Sequence, residues 1–156
     1  MWTKRLSILS TVVLGFALAL PGYVGAQNYP SSVKELVAST RKQVKWIDMA
    51  AFKVAFDRKE AGVIVDVREP VEYAAGHVPG AVNVPRGVVE FNIWEYVGFP
   101  DKTDMNKQLT LYCKTGGRCT LAAKSLQDLG LTNVTAVVMT FEAWQKAGYP
   151  VVKGED

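Results

Sequence analysis

The chain has 156 residues, with 18 Lys and Arg against 15 Asp and Glu, and two of the basic residues fall within its first five positions. That size fits one domain with its own hydrophobic core, and the near-balanced charge shows no cationic cluster of the kind that nucleic acid or a membrane surface calls for. Its only cysteines, Cys113 and Cys119, are too few and too close together to staple a small exported domain, so they point to chemistry.

The leading segment reads as an export signal. Lys4 and Arg5 precede an apolar run over residues 6–20, Pro21 and Gly22 follow, and Val24-Gly25-Ala26 places small residues where a peptidase would cut, before Gln27. The run falls short of the roughly 20 residues that span a bilayer, and no Cys follows it to carry a lipid, so cleavage after Ala26 is expected, with no membrane attachment afterwards. The chain then divides into a signal peptide over 1–26, a leader with an extra helix over 27–44, and a domain over 45–156, in a periplasmic or secreted protein. Lys4 and Arg5 depart with the signal and no acid does, so the net charge falls from +3 to +1.

Past the leader, residues 32–45 have helical spacing through Val33, Leu36, Val37 and Val44. Lys45-Trp46-Ile47 reads as a short strand. Asp48 is placed to cap a helix that puts Met49, Phe52 and Phe56 on one face and ends at Gly62. Val63-Ile64-Val65-Asp66-Val67 is a β-branched run, as expected of a strand buried on both faces. Pro70 suits the first turn of a short helix reaching Ala75. A strand over 81–84, a helix over 87–97, a polar connection, and a strand over 108–112 follow. A helix over 118–129, a strand over 134–138 and a helix over 141–147 complete the chain. Strands that alternate with helices predict an α/β fold with a mostly parallel sheet covered on both sides.

In such sheets the site forms at the carboxyl ends of strands, where loops enter helices. Cys113-Lys114-Thr115-Gly116-Gly117-Arg118-Cys119 occupies that place. Its glycines allow a tight curl that turns successive N–H groups inward as an anion nest, and the following helix adds positive potential. A thiol held there loses its proton more readily, and Lys114 and Arg118 reinforce the effect. The loop suits a thiolate that meets an anionic substrate.

With that loop the chain resembles a rhodanese. The matching residues are Asp66-Val67-Arg68, Glu72-Tyr73, Gly76-His77-Val78-Pro79-Gly80-Ala81, Asn83-Val84-Pro85, the Cys113-to-Arg118 loop, and Trp144 with Ala147-Gly148-Tyr149-Pro150. They follow the family's order and span about residues 45 to 152. The resemblance implies a rhodanese-like central parallel sheet flanked by helices on both faces. It implies a mechanism in which Cys113 takes the sulfane sulfur of thiosulfate or a related donor as a persulfide and passes it to cyanide or a thiol. Neither a metal nor an organic cofactor is required. Backbone N–H groups of Lys114, Thr115, Gly116, Gly117 and Arg118 would stabilise the persulfide anion. Arg118 would close the loop, Lys114 would face the incoming anion, and Arg86 would join the pocket rim.

Several residues have a plainer reading. Cys119 opens a helix, where it serves packing or redox chemistry about equally well. A reactive thiol in an oxidising compartment needs protection or a reductant, which makes a redox protein a candidate partner. His77 is expected to bond loop backbone, Asp66 and Arg68 to orient the next turn, with an Arg68–Glu72 ion pair, and Trp144 to lie in the core. Relatives often carry two glycines where Met139 and Thr140 stand, so the wall over 138–141 should differ locally. Two other functions compete. One is a partner-dependent sulfur carrier or non-catalytic binding module. The other is a small phosphatase of the related dual-specificity type, whose loop is one residue longer.

Overall fold

The computed structural model describes residues 29–154. The signal peptide expected over 1–26 lies outside the described residues. Five strands form one parallel sheet: β1 (Lys45–Asp48), β2 (Val63–Asp66), β3 (Val82–Asn83), β4 (Leu109–Tyr112) and β5 (Val134–Val138), in the spatial order β1-β5-β4-β2-β3. The helices are α1 (Ser31–Arg41), α2 (Met49–Asp57), α3 (Pro70–Ala74), α4 (Val89–Asn92), α5 (Gly117–Asp128) and α6 (Phe141–Lys146).

Side chains alternate across the strands and so feed two cores. Val65, Leu109, Leu111 and Ala136 pack with Val89 of α4 and Ala122, Ala123 and Leu126 of α5. Ile64, Tyr112 and Val137 pack with Phe52 of α2, Tyr73 of α3 and Trp144 of α6. Both faces are therefore covered, as the apolar runs predict, and Trp144 is fully buried. Losing a side chain as large as Phe52 from such a core costs about 3–5 kcal/mol.

The boundaries differ from expectation in three places. The helix α1 stops at Arg41, because Val44 turns into the core ahead of β1. Helix α2 ends at Asp57 rather than at Gly62: Lys59 takes the left-handed turn with φ 57°. Gly62 instead passes so close to Gln108 that a Cβ there would lie 2.5 Å from the Gln108 carbonyl oxygen. Residues 87–97 are not one helix. A 3-10 turn over Arg86–Val88, α4, and a second 3-10 turn over Ile93–Val97 share the segment. The Trp94 indole N–H donates to the Glu90 carbonyl at 2.8 Å, the same acceptor that α-helical geometry would give to the Trp94 amide.

Central strand β4 delivers Cys113 to the carboxyl edge of the sheet, with β2 on one side and β5 on the other. The switch in strand order there opens the crevice in which such folds bind ligands.

Candidate active site

Cys113 follows the fully buried strand β4, and its loop folds back so that two backbone amides point at its sulfur. Gly116 N donates to Cys113 Sγ at 3.2 Å and Cys119 N at 3.4 Å. The curl depends on Gly116, which has φ 84° and lies so near β5 that a Cβ would approach the Val138 Cα to 3.3 Å. A hydrogen bond from Phe141 N to the Lys114 carbonyl, at 3.0 Å, ties the loop to α6. Thr120 Oγ1 donates to the Gly116 carbonyl at 2.7 Å and holds its other end.

The electrostatics follow from this geometry. The Cys119 thiol, lying 3.6 Å from Cys113 Sγ, and then the amides of Cys119, Thr115 and Gly116 stabilise a Cys113 thiolate. Together they outweigh burial and hold Cys113 down at about 6. Cys119 moves the other way. Burial, and then its contact with Cys113, pushes it well above the ordinary thiol range, so it remains a thiol. One sulfur is a thiolate at neutral pH and its neighbour holds a proton.

Arg118 closes the loop in a specific way. Its guanidinium takes both oxygens of Glu72, at 2.7 and 2.9 Å, and Glu69 is a more distant partner at 3.8 Å. This corrects the expected Arg68–Glu72 pair. Arg68 instead binds the buried Asp66 carboxylate and the Gly76 carbonyl, and its guanidinium lies 3.9 Å from the Phe141 ring centre. Asp66 in turn accepts from Arg68 N at 2.9 Å, so the two residues do orient the turn after β2. His77 is fully buried, with Nδ1 3.1 Å from the Tyr73 carbonyl, and its backbone pairs with Val152 in both directions. That agrees with the structural role expected of it.

A cleft of about 1320 Å³ opens over the loop. Lys114, Thr115, Gly117 and Arg118 form its floor, the buried Arg68 also lines it, and Cys113 sits behind the loop, 1 % exposed. Arg86 does not line this cleft: Glu90 at 2.9 Å and Ser125 at 3.0 Å hold its guanidinium elsewhere. Met139 is buried, and Thr140 makes the turn without a positive φ, capping α6 through Ala143 N at 3.0 Å. The cleft wall at this point is therefore a helix cap.

Sequence reasoning missed the roof. Val33, Val37, Ala38 and Arg41 of α1 line the cleft, and a Cβ at Gly117 would meet Val37 at 3.7 Å. Arg41 reaches the loop beside Gly116, and its Nε is buried without a hydrogen-bond partner. The helical spacing of 31–41 announces an amphipathic helix but not the surface that it covers.

Comparison with known proteins agrees with this geometry. The chain is 33 % identical over 98 residues to a putative sulfur carrier protein, YrkF, of Bacillus subtilis, an alignment covering 63 % of this chain and 49 % of that one. It is 34 % identical over 95 residues to the thiosulfate:glutathione sulfurtransferase of Saccharomyces cerevisiae, covering 55 % and 66 %. The chain thus spans about half the length of the first of these relatives and about two thirds of the second. Among solved structures, a protein of unknown function from Rhodopseudomonas palustris, described as a possible tyrosine phosphatase, superposes with a TM-score of 0.64. It is 28 % identical, over 85 % of this chain and 99 % of that one. The polysulfide-sulfur transferase of Wolinella succinogenes shares the fold, with a TM-score of 0.64 at 21 % identity, over 79 % and 88 % of the two chains. The rhodanese-like domain model matches residues 49–147, and with the parallel sheet and the cysteine loop in place the chain belongs to the rhodanese-like domain family.

Proposed function

We propose that this chain is a sulfurtransferase in which Cys113 carries sulfur as a persulfide. The observation that carries the reading is the Cys113 sulfur itself, held as a thiolate at the start of a loop whose Gly116 and Cys119 amides point at it. The thiolate attacks the outer sulfur of thiosulfate or a related sulfane donor, the donor's S–S bond breaks, and sulfite leaves. Cyanide or a thiol then takes the outer sulfur from Cys113. The loop amides stabilise the negative charge in both states without reorganising. Lys114, exposed at the cleft floor, attracts the anionic donor. The signal-peptide pattern over 1–26 supports export, with cleavage after Ala26 and a periplasmic or secreted working form.

Two neighbouring readings have support of their own. A sulfur carrier would use the same persulfide and hand it to a protein partner, in line with the printed description of the Bacillus relative. A phosphatase reading draws on the Rhodopseudomonas structure. Against it, Arg118 follows Cys113 by only five positions and its guanidinium is taken by Glu72, which leaves a ring suited to one sulfur rather than to a tetrahedral phosphate. The test is thiocyanate production from thiosulfate and cyanide, beside hydrolysis of an aryl phosphate. Wild type is expected to make thiocyanate and to leave the phosphate intact, and Cys113→Ser to make no thiocyanate. Thiocyanate production near the wild-type rate in Cys113→Ser would overturn the mechanism.

A further inference from the structure

Cys119 lies in the position of a second reacting sulfur. It is fully buried, 3.6 Å from Cys113 Sγ, with the Gly116 and Val137 carbonyls each 3.3 Å from its own sulfur. Cys119 does not line the cleft through which a donor arrives; it packs among the core residues of α5 and the sheet. It therefore meets Cys113 from the core side, whereas an outer sulfur on Cys113 would point toward the loop amides and the cleft. Displacement at sulfur proceeds through an attack in line with the departing group, so an outer sulfur would have to leave on the side of Cys113 away from Cys119.

We infer that Cys119 is a resolving thiol, which converts the Cys113 persulfide into a Cys113–Cys119 disulfide and releases the transferred sulfur as hydrosulfide. The inference rests on the persulfide reading above. Cys119 Sγ bonds to the inner sulfur of Cys113, the bond between inner and outer sulfur breaks, and the Cys119 proton leaves with the outer sulfur as HS⁻. The sulfane sulfur is reduced and the two cysteine sulfurs are oxidised to the disulfide. An external dithiol then reduces that disulfide and restores both thiols. The net reaction turns thiosulfate and a dithiol into sulfite, sulfide and a disulfide.

The gap is chemically reasonable. A disulfide needs the sulfurs about 1.5 Å closer than their present 3.6 Å separation, given the usual bond of about 2.05 Å. Gly116 and Gly117 in the intervening loop leave it few side-chain obstacles to that movement. Charge also favours the step. Burial first, and then the Cys113 thiolate, oppose ionisation of Cys119, and formation of a persulfide relieves the second of these by moving that negative charge outward. Hydrosulfide, a weaker base than a cysteine thiolate, is the better leaving group.

The experiment loads the reduced full chain with equimolar thiosulfate under anaerobic conditions, with no acceptor, and follows sulfite, sulfide and intact mass. Wild type is expected to release sulfite and sulfide in equal amounts, to become lighter by two hydrogen atoms, and to yield a peptide linking Cys113 to Cys119. Cys119→Ser and Cys119→Ala, left to react until sulfite release is complete, are expected to keep the extra sulfur atom, with sulfide released per sulfite lower by about tenfold or more. Wild type that releases sulfite but keeps the extra sulfur and yields no sulfide overturns this inference and leaves the persulfide reading standing. Sulfide released per sulfite in both variants equal to wild type overturns it as well. If wild type releases no sulfite, the persulfide reading falls and takes this inference with it.

Discussion

Arg118 and Glu72 join the first turn of α5 to α3 through two parallel hydrogen bonds, Nη1 to Oε2 at 2.7 Å and Nη2 to Oε1 at 2.9 Å. The pair spans 46 residues of sequence and holds the far end of the cysteine loop against the turn that follows β2. Because it is about 30 % exposed, its worth is that of a well-formed surface pair, about 1 kcal/mol at most. Glu72→Gln is expected to lower unfolding free energy by that amount in urea denaturation, and to lower kcat/KM for thiosulfate by up to about tenfold. Arg118 holds the Glu72 carboxyl below the usual carboxylate range. The stabilisation is therefore complete above the unfolded carboxylate value of about 4.3 and is lost as pH falls through the lower native value.

Cys113 should react as a thiolate well below the pH at which ordinary thiols do. Its rate of alkylation by iodoacetamide is expected to rise with pH through a single ionisation at about 6 and to level off above it. Cys119→Ala removes the largest stabilising contact, so the midpoint should move up toward the ordinary thiol value of about 8.5. An unchanged midpoint in that variant would assign the low value to the amides alone.

Gly116→Ala tests the curl of the loop. Alanine would have to adopt φ 84° and place a Cβ 3.3 Å from the Val138 Cα. Left-handed backbone costs a residue with a Cβ about 1–2 kcal/mol, which should appear as lost stability on denaturation. Relief of the strain would tilt the Gly116 amide away from Cys113, and the expected loss in kcat is about tenfold to a hundredfold.

Lys114 and Arg118 should separate kinetically. Lys114 is exposed, and on the proposed reaction its charge would attract donor and transition state alike. Lys114→Ala should raise KM for thiosulfate by about threefold to tenfold with little change in kcat, an effect that shrinks as salt screens the charge. Arg118→Ala should lower kcat as well, because it releases the loop. Equal small effects from the two substitutions would argue that neither charge shapes the cleft.

Local pattern alone determined much of this protein. A β-branched run followed by a turn and a helix is a short-range signal, and so is a glycine-rich loop after an apolar strand. The sheet and the loop whose amides curl onto Cys113 could therefore be read from adjacent residues. Helix ends were less legible where competing local bonds decided them, as at Lys59, which takes the turn assigned to Gly62, and at Trp94, whose indole claims a backbone carbonyl. Pairings across the chain were decided only by tertiary structure. Glu72 is close in sequence to Arg68 yet binds Arg118, because Asp66 is already buried against Arg68. Arg86 follows a strand-end proline yet turns to Ser125 of α5. Arg41 covers the loop because α1 packs across it. Cys119 faces Cys113 because the loop's curl and the first turn of α5 together set its direction. Sequence spacing limits which groups can meet, but the choice among several possible partners depends on how whole elements pack, and that is a property of the folded chain.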